Sequence, residues 1–179
     1  MTSGGAGAQL AAALGYPRPG PPTLRDRMVR AVAATAPAAR VLSRTVRPVD
    51  ELLARWRGRG VSVPALLAGL PAVALTTTGA RSGLPRTVPL IPVVTGPVFA
   101  VLGTNFGGER TPAWAVNLEA RPEAEVAFGD RTVAVRARLL DGAERAEVVE
   151  AASGVYVGFG RYLARASHRR VRVFALEPR

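Results

Sequence analysis

The chain has 179 residues, 48% of them hydrophobic, and a formal net charge of +11, which suits one domain with a real core and a preceding arm. All 24 basic residues are arginine, and neither lysine nor cysteine occurs. That excludes Schiff-base and Walker-type lysine chemistry, thiol catalysis, zinc–thiolate sites and disulfides.

Residues 1–22 are rich in Gly, Ala and Pro and end in Pro17-Arg18-Pro19-Gly20-Pro21-Pro22, a composition that predicts a disordered arm. Thr23 then caps a helix to about Thr35, with Leu24, Met28 and Val32 on one face. A second helix after Pro37 aligns Arg40, Arg44 and Arg47, and a short third one covers Asp50–Arg57. Residues 1–60 hold 10 arginines against 3 acids, and residues 61–179 hold 14 against 10. The basic excess therefore belongs mainly to this first part, where it fits an anionic membrane surface, nucleic acid or plain solvation. Interleaved aromatics for nucleic acid are missing, since the part offers only Tyr16 and Trp56, so no nucleic-acid partner is expected. No secretory signal is visible. The expected location is the cytoplasm, with peripheral contact at the inner face of the plasma membrane.

Residues 61–179 read as one mainly β unit of α+β class. Two long charge-free runs, 60–80 and 87–108, are broken by prolines and glycines and read as buried strands, not membrane spans. The predicted strands are Val73–Thr77, Thr87–Val94, Val98–Leu102, Glu125–Phe128, Thr132–Leu140 and Val171–Leu176. Thr111 is the expected cap of a helix with Pro112 at its first position, ended by Arg121-Pro122. Gly129-Asp130 turns a hairpin. Two helical stretches follow, about Ala143–Ser153 and Val155–Ala166. Six short strands with one early crossover helix and one late helical pair predict a small antiparallel barrel.

Three stretches carry candidate chemistry. Gly79–Arg86 brackets Arg81, Ser82 and Arg86 with glycines after an apolar strand, which suits phosphate or carboxylate; a solvated connector has the same composition. Gly103–Gly108 follows a second buried strand. There Thr104 can donate to a reacting oxygen, and Asn105 and Gly107 can present N–H groups to an anion. The helix after Thr111 carries Trp114 and Asn117, and a lone amide in an apolar helix wants a specific partner. Later, Tyr156, Phe159 and Tyr162 share a helix face among Gly154, Gly158 and Gly160, as core or as a movable aromatic wall. His168 has no partner at ligand spacing and no paired catalytic carboxylates are seen, so no metal is expected.

With these motifs in place (LTTTGARSGLPR, GTNFGG, PAWAVNLEARP and the Tyr156, Phe159, Tyr162 series), the chain resembles the deazaflavin-dependent nitroreductases, which use coenzyme F420. The resemblance runs from about Val73 to Arg179. It implies a split β-barrel of the FMN-binding, pyridoxamine-oxidase-like kind. It implies that Arg81, Ser82, Gly83, Arg86 and the strand through Pro89 hold the phosphate tail. Thr104, Asn105, Phe106, Gly107, Gly108, Trp114 and Asn117 would position the deazaflavin. Thr104, Tyr156 and Tyr162 would be catalytic, and with Ile91 and Phe159 would line the acceptor pocket. The implied activity is hydride transfer from reduced F420 to a small apolar quinone, enone or nitro-type acceptor; the alternative is a non-catalytic binder of a deazaflavin, flavin or haem-type ligand. Ala80 stands where the family often has a second basic residue, Ile91 and Phe159 where nitroreductase-type members often have tyrosine, and Thr104 where they have serine. The Ile91 and Phe159 changes remove phenol donors from the acceptor side and leave the cofactor side intact.

Overall fold

The structure, a computed structural model, describes residues 5–17, 71–155 and 157–179. The helices expected between residues 23 and 60 lie outside the described residues, as does Tyr156. In chain order the elements are α1 (Ala6–Leu14), β1 (Val73–Thr78), β2 (Pro85–Leu90), β3 (Val93–Thr95), β4 (Val98–Leu102), a single turn at Asn105–Gly107, and α2 (Ala113–Ala120). These are followed by β5 (Glu123–Phe128), β6 (Arg131–Leu139), α3 (Gly142–Val155), α4 (Val157–Arg165) and β7 (Val173–Pro178). The seven strands form one sheet in the order β2-β1-β5-β6-β7-β4-β3, and every pairing is antiparallel.

That order forces curvature. The two edge strands, β2 and β3, are sequence neighbours joined only by Ile91-Pro92. Three Cα steps reach about 11 Å at most, whereas six strand spacings in a flat sheet would hold the edges roughly 29 Å apart. The sheet therefore curls into a half-barrel with its seam at Ile91-Pro92, in accord with the expected split β-barrel. The continuous strand predicted over Thr87–Val94 is corrected here to two. Pro92 has no N–H for a ladder, and the chain uses it to cross from one edge to the other.

Strands β4 and β7 are buried on both faces. Phe99, Val101, Phe174 and Leu176 point to one core cluster with Leu75, Leu118, Val126 and Val135. Ala100, Leu102, Val173 and Ala175 point to a second, which α3 and α4 close with Val148, Ala152, Phe159 and Tyr162. The alternation of partners explains why these strands read as unbroken apolar runs. On the outer rim Arg138 forks onto Glu144 at 2.8 Å and reaches Glu177 at 2.9 Å.

Of the stretch 1–22 expected to be disordered, residues 5–17 are described, and for these the expectation is corrected. Residues Ala6–Leu14 form α1, with Leu10 and Leu14 fully buried in the first cluster. Glycine makes the docking possible: the Gly7 amide donates to Pro97 O at 2.7 Å, and a Cβ on Gly7 would fall 2.2 Å from Phe99 N. Gly15 ends the helix at φ 63°, as a left-handed cap does. Tyr16 then packs edge-on against Phe99 and Phe128, and its hydroxyl donates to Pro71 O at 2.9 Å. A low-charge Ala-rich run looks like a linker in composition, and only its two leucines at i and i+4 betray a docked face.

Candidate cofactor and acceptor site

The arginine-bearing loop is a tight connection between β1 and β2. Gly79 N donates to Leu84 O at 2.8 Å, and Gly83 N donates to Gly79 O at 2.8 Å, with Gly83 at φ 69°. A Cβ at Gly79 would lie 2.5 Å from Ser82 Oγ, so a larger residue there would displace the Ser82 side chain. Ser82 Oγ accepts from Leu84 N at 3.3 Å, a local bond that shapes the loop. Arg81 and Arg86 are exposed and make no ion pair among the described residues. Pro89 is half-buried on β2 opposite Ala74. A third cation missed in the sequence, Arg121 at the end of α2, reaches Gly79 O at 3.5 Å.

Asn117 ties this loop to α2. Its Nδ2 donates to Thr77 Oγ1 at 3.0 Å, and its Oδ1 accepts from Ala80 N at 2.9 Å. The amide expected to want a partner therefore finds two, at the end of β1 and in the loop itself. One turn earlier, Trp114 is buried in the first cluster with its ring 6.1 Å from that of Phe174. Most of its surface is therefore committed to the core. Thr111 does not cap α2, because its Oγ1 accepts from Arg172 Nη1 at 2.7 Å; Pro112 takes the cap position without a side-chain bond. The other side of Arg172 pairs with Glu119.

The glycine loop packs beside the start of α2, where a Cβ on Gly103 would meet Pro112 and Ala115 at 3.5 Å. Asn105, Phe106 and Gly107 all have positive φ, at 49°, 55° and 80°. Two such non-glycine residues in succession cost free energy that the surroundings must supply. Arg169 supplies much of it. Its guanidinium donates to Gly103 O at 3.2 Å, Thr104 O at 2.9 Å and Gly108 O at 3.2 Å. Burial, and then the nearby charge of Arg172, lower its pKa from the usual arginine value. Asn105 adds a bond from Nδ2 to Arg110 O at 3.0 Å, and His168 Nε2 lies 3.4 Å from Glu109 O. With its carbonyls gathered by Arg169, the loop leaves the amides of Thr104, Asn105 and Phe106 without a protein acceptor among the described residues. Thr104 is buried, and its hydroxyl is not spent on capping the turn.

The aromatic wall forms against this loop. Phe106 meets Tyr162 edge-on at 5.7 Å, and Phe159, Tyr162, Ile91 and Phe106 share the second cluster. Arg165, one turn beyond Tyr162, lies with its guanidinium carbon 5.1 Å from that ring's centre. Neither Arg165 nor Arg169 is legible in the sequence as a site residue. Both sit in a run of arginines that looks like an ordinary solvated helix end, and only the approach of Gly107 and Gly108 distinguishes them.

Unpaired arginines on one side of α2 and free backbone amides with a half-buried aromatic on the other make a donor set that fits a phosphorylated cofactor with a flat ring. A family model for the F420H(2)-dependent quinone reductases matches residues 46–178. The chain belongs to that family. Two F420H(2)-dependent quinone reductases of Mycobacterium tuberculosis, from strains CDC 1551 and H37Rv, are each 34% identical over 68 residues, or 38% of this chain and 46% of theirs. The match thus spans about half the length of those relatives. The solved structure of an F420-H2 dependent reductase is 34% identical, with a TM-score of 0.54, over 60% of this chain and 94% of that one. A protein described as a domain-swapped dimer is 29% identical, with a TM-score of 0.55, over 79% of this chain and all of that one. Family and fold agree with the resemblance read from the motifs.

Proposed function

We propose that this protein is an F420H2-dependent reductase whose acceptor is a quinone. The observation that carries the proposal is the pairing of two loops across α2, one with uncommitted arginines and one with uncommitted amides, in a chain of this family. Reduced F420, when bound, supplies the hydride. The chain's own residues bind and orient. Arg81, Ser82, Gly83 and Arg86, with Pro89 on the adjoining strand, hold the phosphate tail by charge-assisted hydrogen bonds. Thr104 to Gly108 receive the ring through backbone N–H groups, and Asn117 fixes the arginine loop. Trp114 acts by setting the position of α2. The Phe106, Phe159, Tyr162 wall and Ile91 exclude water and shape the acceptor side, with Thr104 and Tyr162 supplying the hydroxyls. Tyr156, outside the described residues, keeps its place here only through the motif.

Incubating the protein with reduced F420 and a panel of quinones, while following deazaflavin oxidation, tests this. Turnover with quinones and weaker binding of FMN than of F420 are expected. Tight F420 binding without turnover on any acceptor would leave only a carrier. We further place the protein in the cytoplasm, with the basic first 60 residues on an anionic membrane surface, where each arginine contributes about 1 kcal/mol. Among the described residues no helix is long and apolar enough to cross a membrane. Failure of the full chain to sediment with phosphatidylglycerol vesicles at low salt removes the membrane part.

A further inference from the structure

Arg165 is not used by the site as drawn so far. Its Nε and Nη2 are buried and have no hydrogen-bond partner among the described residues. Its stem lies where a side chain on Gly107 would be, since a Cβ there would fall 2.7 Å from Arg165 Cβ and 2.8 Å from Nε. The guanidinium sits over Tyr162, whose ring meets Phe106. Among the described residues no carboxylate pairs with it: the four ion pairs there use Arg136, Arg138 and Arg172. The sequence from residue 151 to 176 contains no Asp or Glu but has five arginines. A half-buried cation with two N–H-bearing nitrogens lacking an acceptor carries a cost and is held only where its neighbours insist. Here the neighbours are a glycine that makes room, an aromatic face that attracts it weakly, and a loop whose own amides point no negative charge at it.

We propose that Arg165 makes the acceptor side selective for quinones that carry an ionised oxygen, such as hydroxyquinones. The inference rests on the reductase reading above and names the substrate class of the same site. A planar anion would pack on the half-buried Phe106 ring and place its oxygen in the field of Arg165 and of the amides at Thr104 to Phe106. The same charge serves the reaction. Hydride addition to one carbonyl oxygen of a quinone sends an electron pair through the ring to the opposite oxygen. The resulting hydroquinone anion takes one proton from water, and reduced F420 is the two-electron reductant. Arg165 is thus a group that favours negative charge on the acceptor both before and after reduction.

The test is equilibrium binding, read by quenching of tryptophan fluorescence, on protein loaded with oxidised F420. Two probes are compared: lawsone, a hydroxynaphthoquinone ionised at neutral pH, and menadione, its neutral methyl counterpart. The parent protein is expected to bind lawsone about tenfold or more tightly than menadione, the value of one charge-assisted contact. Arg165→Met should abolish that preference while menadione and F420 affinities stay within about twofold, and Arg165→Lys should restore part of it. Equal binding of the two probes by the parent protein overturns the inference, and that result needs no variant to fold. An Arg165→Met protein that loses F420 affinity instead overturns it too, since the cation would then serve the cofactor. Failure of F420 to load at the first step refutes the reductase reading itself and is seen separately.

Discussion

Asn117→Leu should separate the scaffold of the arginine loop from its charge. Leucine keeps the branched shape of Asn117, at a larger volume, but removes two hydrogen bonds, to Thr77 Oγ1 at 3.0 Å and from Ala80 N at 2.9 Å. Each such bond contributes about 1 kcal/mol net. Thr77 Oγ1 retains a long bond to Arg86 O at 3.4 Å, and Ala80 is only half-buried, so its amide can turn to water. The stability loss is therefore about 2 kcal/mol, short of the larger penalty for a sealed orphan. For a chain of this size that lowers Tm by roughly 4–8 °C. The functional effect should exceed the stability effect. Once Ala80 is unpinned, Arg81 is no longer held relative to Arg86, and ordering the loop becomes a cost of binding. F420 affinity should fall about tenfold at a temperature where the variant is fully folded. Differential scanning fluorimetry and a fluorescence titration of F420 measure the two quantities. An unchanged Tm would mean that the amide bonds contribute nothing. A lowered Tm with parental F420 affinity would refute the idea that the loop must be pre-set to bind.

Three further outcomes follow from the same geometry. Arg86→Ala should weaken F420 binding by about tenfold or more, as loss of one charge-assisted bond does, with Tm unchanged because the side chain is exposed; a parental titration curve would reduce the loop to a connector. Arg169→Met should release the carbonyls of Gly103, Thr104 and Gly108 and speed amide hydrogen exchange across the glycine loop, visible by mass spectrometry; protection equal to the parent's would show that the positive-φ turn holds itself. Tyr16 should make the fold sensitive to alkali. Burial raises its pKa above the ordinary value, so its contribution is complete below about pH 10, and is lost as pH rises through the elevated folded value. Tyr16→Phe should flatten that alkaline loss in a pH series of Tm, and an unchanged slope would assign it elsewhere.

What the sequence disclosed was local chemistry and period. The hairpin at Gly129-Asp130 and the strand Val98–Leu102 follow from turn residues and a short apolar run, and the structure has both. Loop glycines were legible because their neighbours were arginine, serine and asparagine. The errors share another cause. Ile91-Pro92 joins two apolar strands, and nothing local says that these belong to opposite edges of one sheet. Gly7, Leu10 and Leu14 form a docking face only because the half-barrel end exists to receive them. Trp114 packs against Phe174, sixty residues on, a contact that no local spacing announces. Arg165 and Arg169 act through glycines more than fifty residues earlier. Partners at that separation leave no spacing to read.

The position of β7 has a consequence for how the protein comes into being. It follows every other element in the sequence but lies inside the sheet, between β6 and β4. Without it the strands fall into two ribbons, β2-β1-β5-β6 and β4-β3. The first ribbon carries the arginine loop, and the second leads into the glycine loop. On the ribosome these ribbons must wait, each with an exposed apolar edge, until residues 173–178 emerge to zip them together. The nascent chain is therefore vulnerable to edge-to-edge association until β7 is made, and the arginine loop and the glycine loop meet only at that moment.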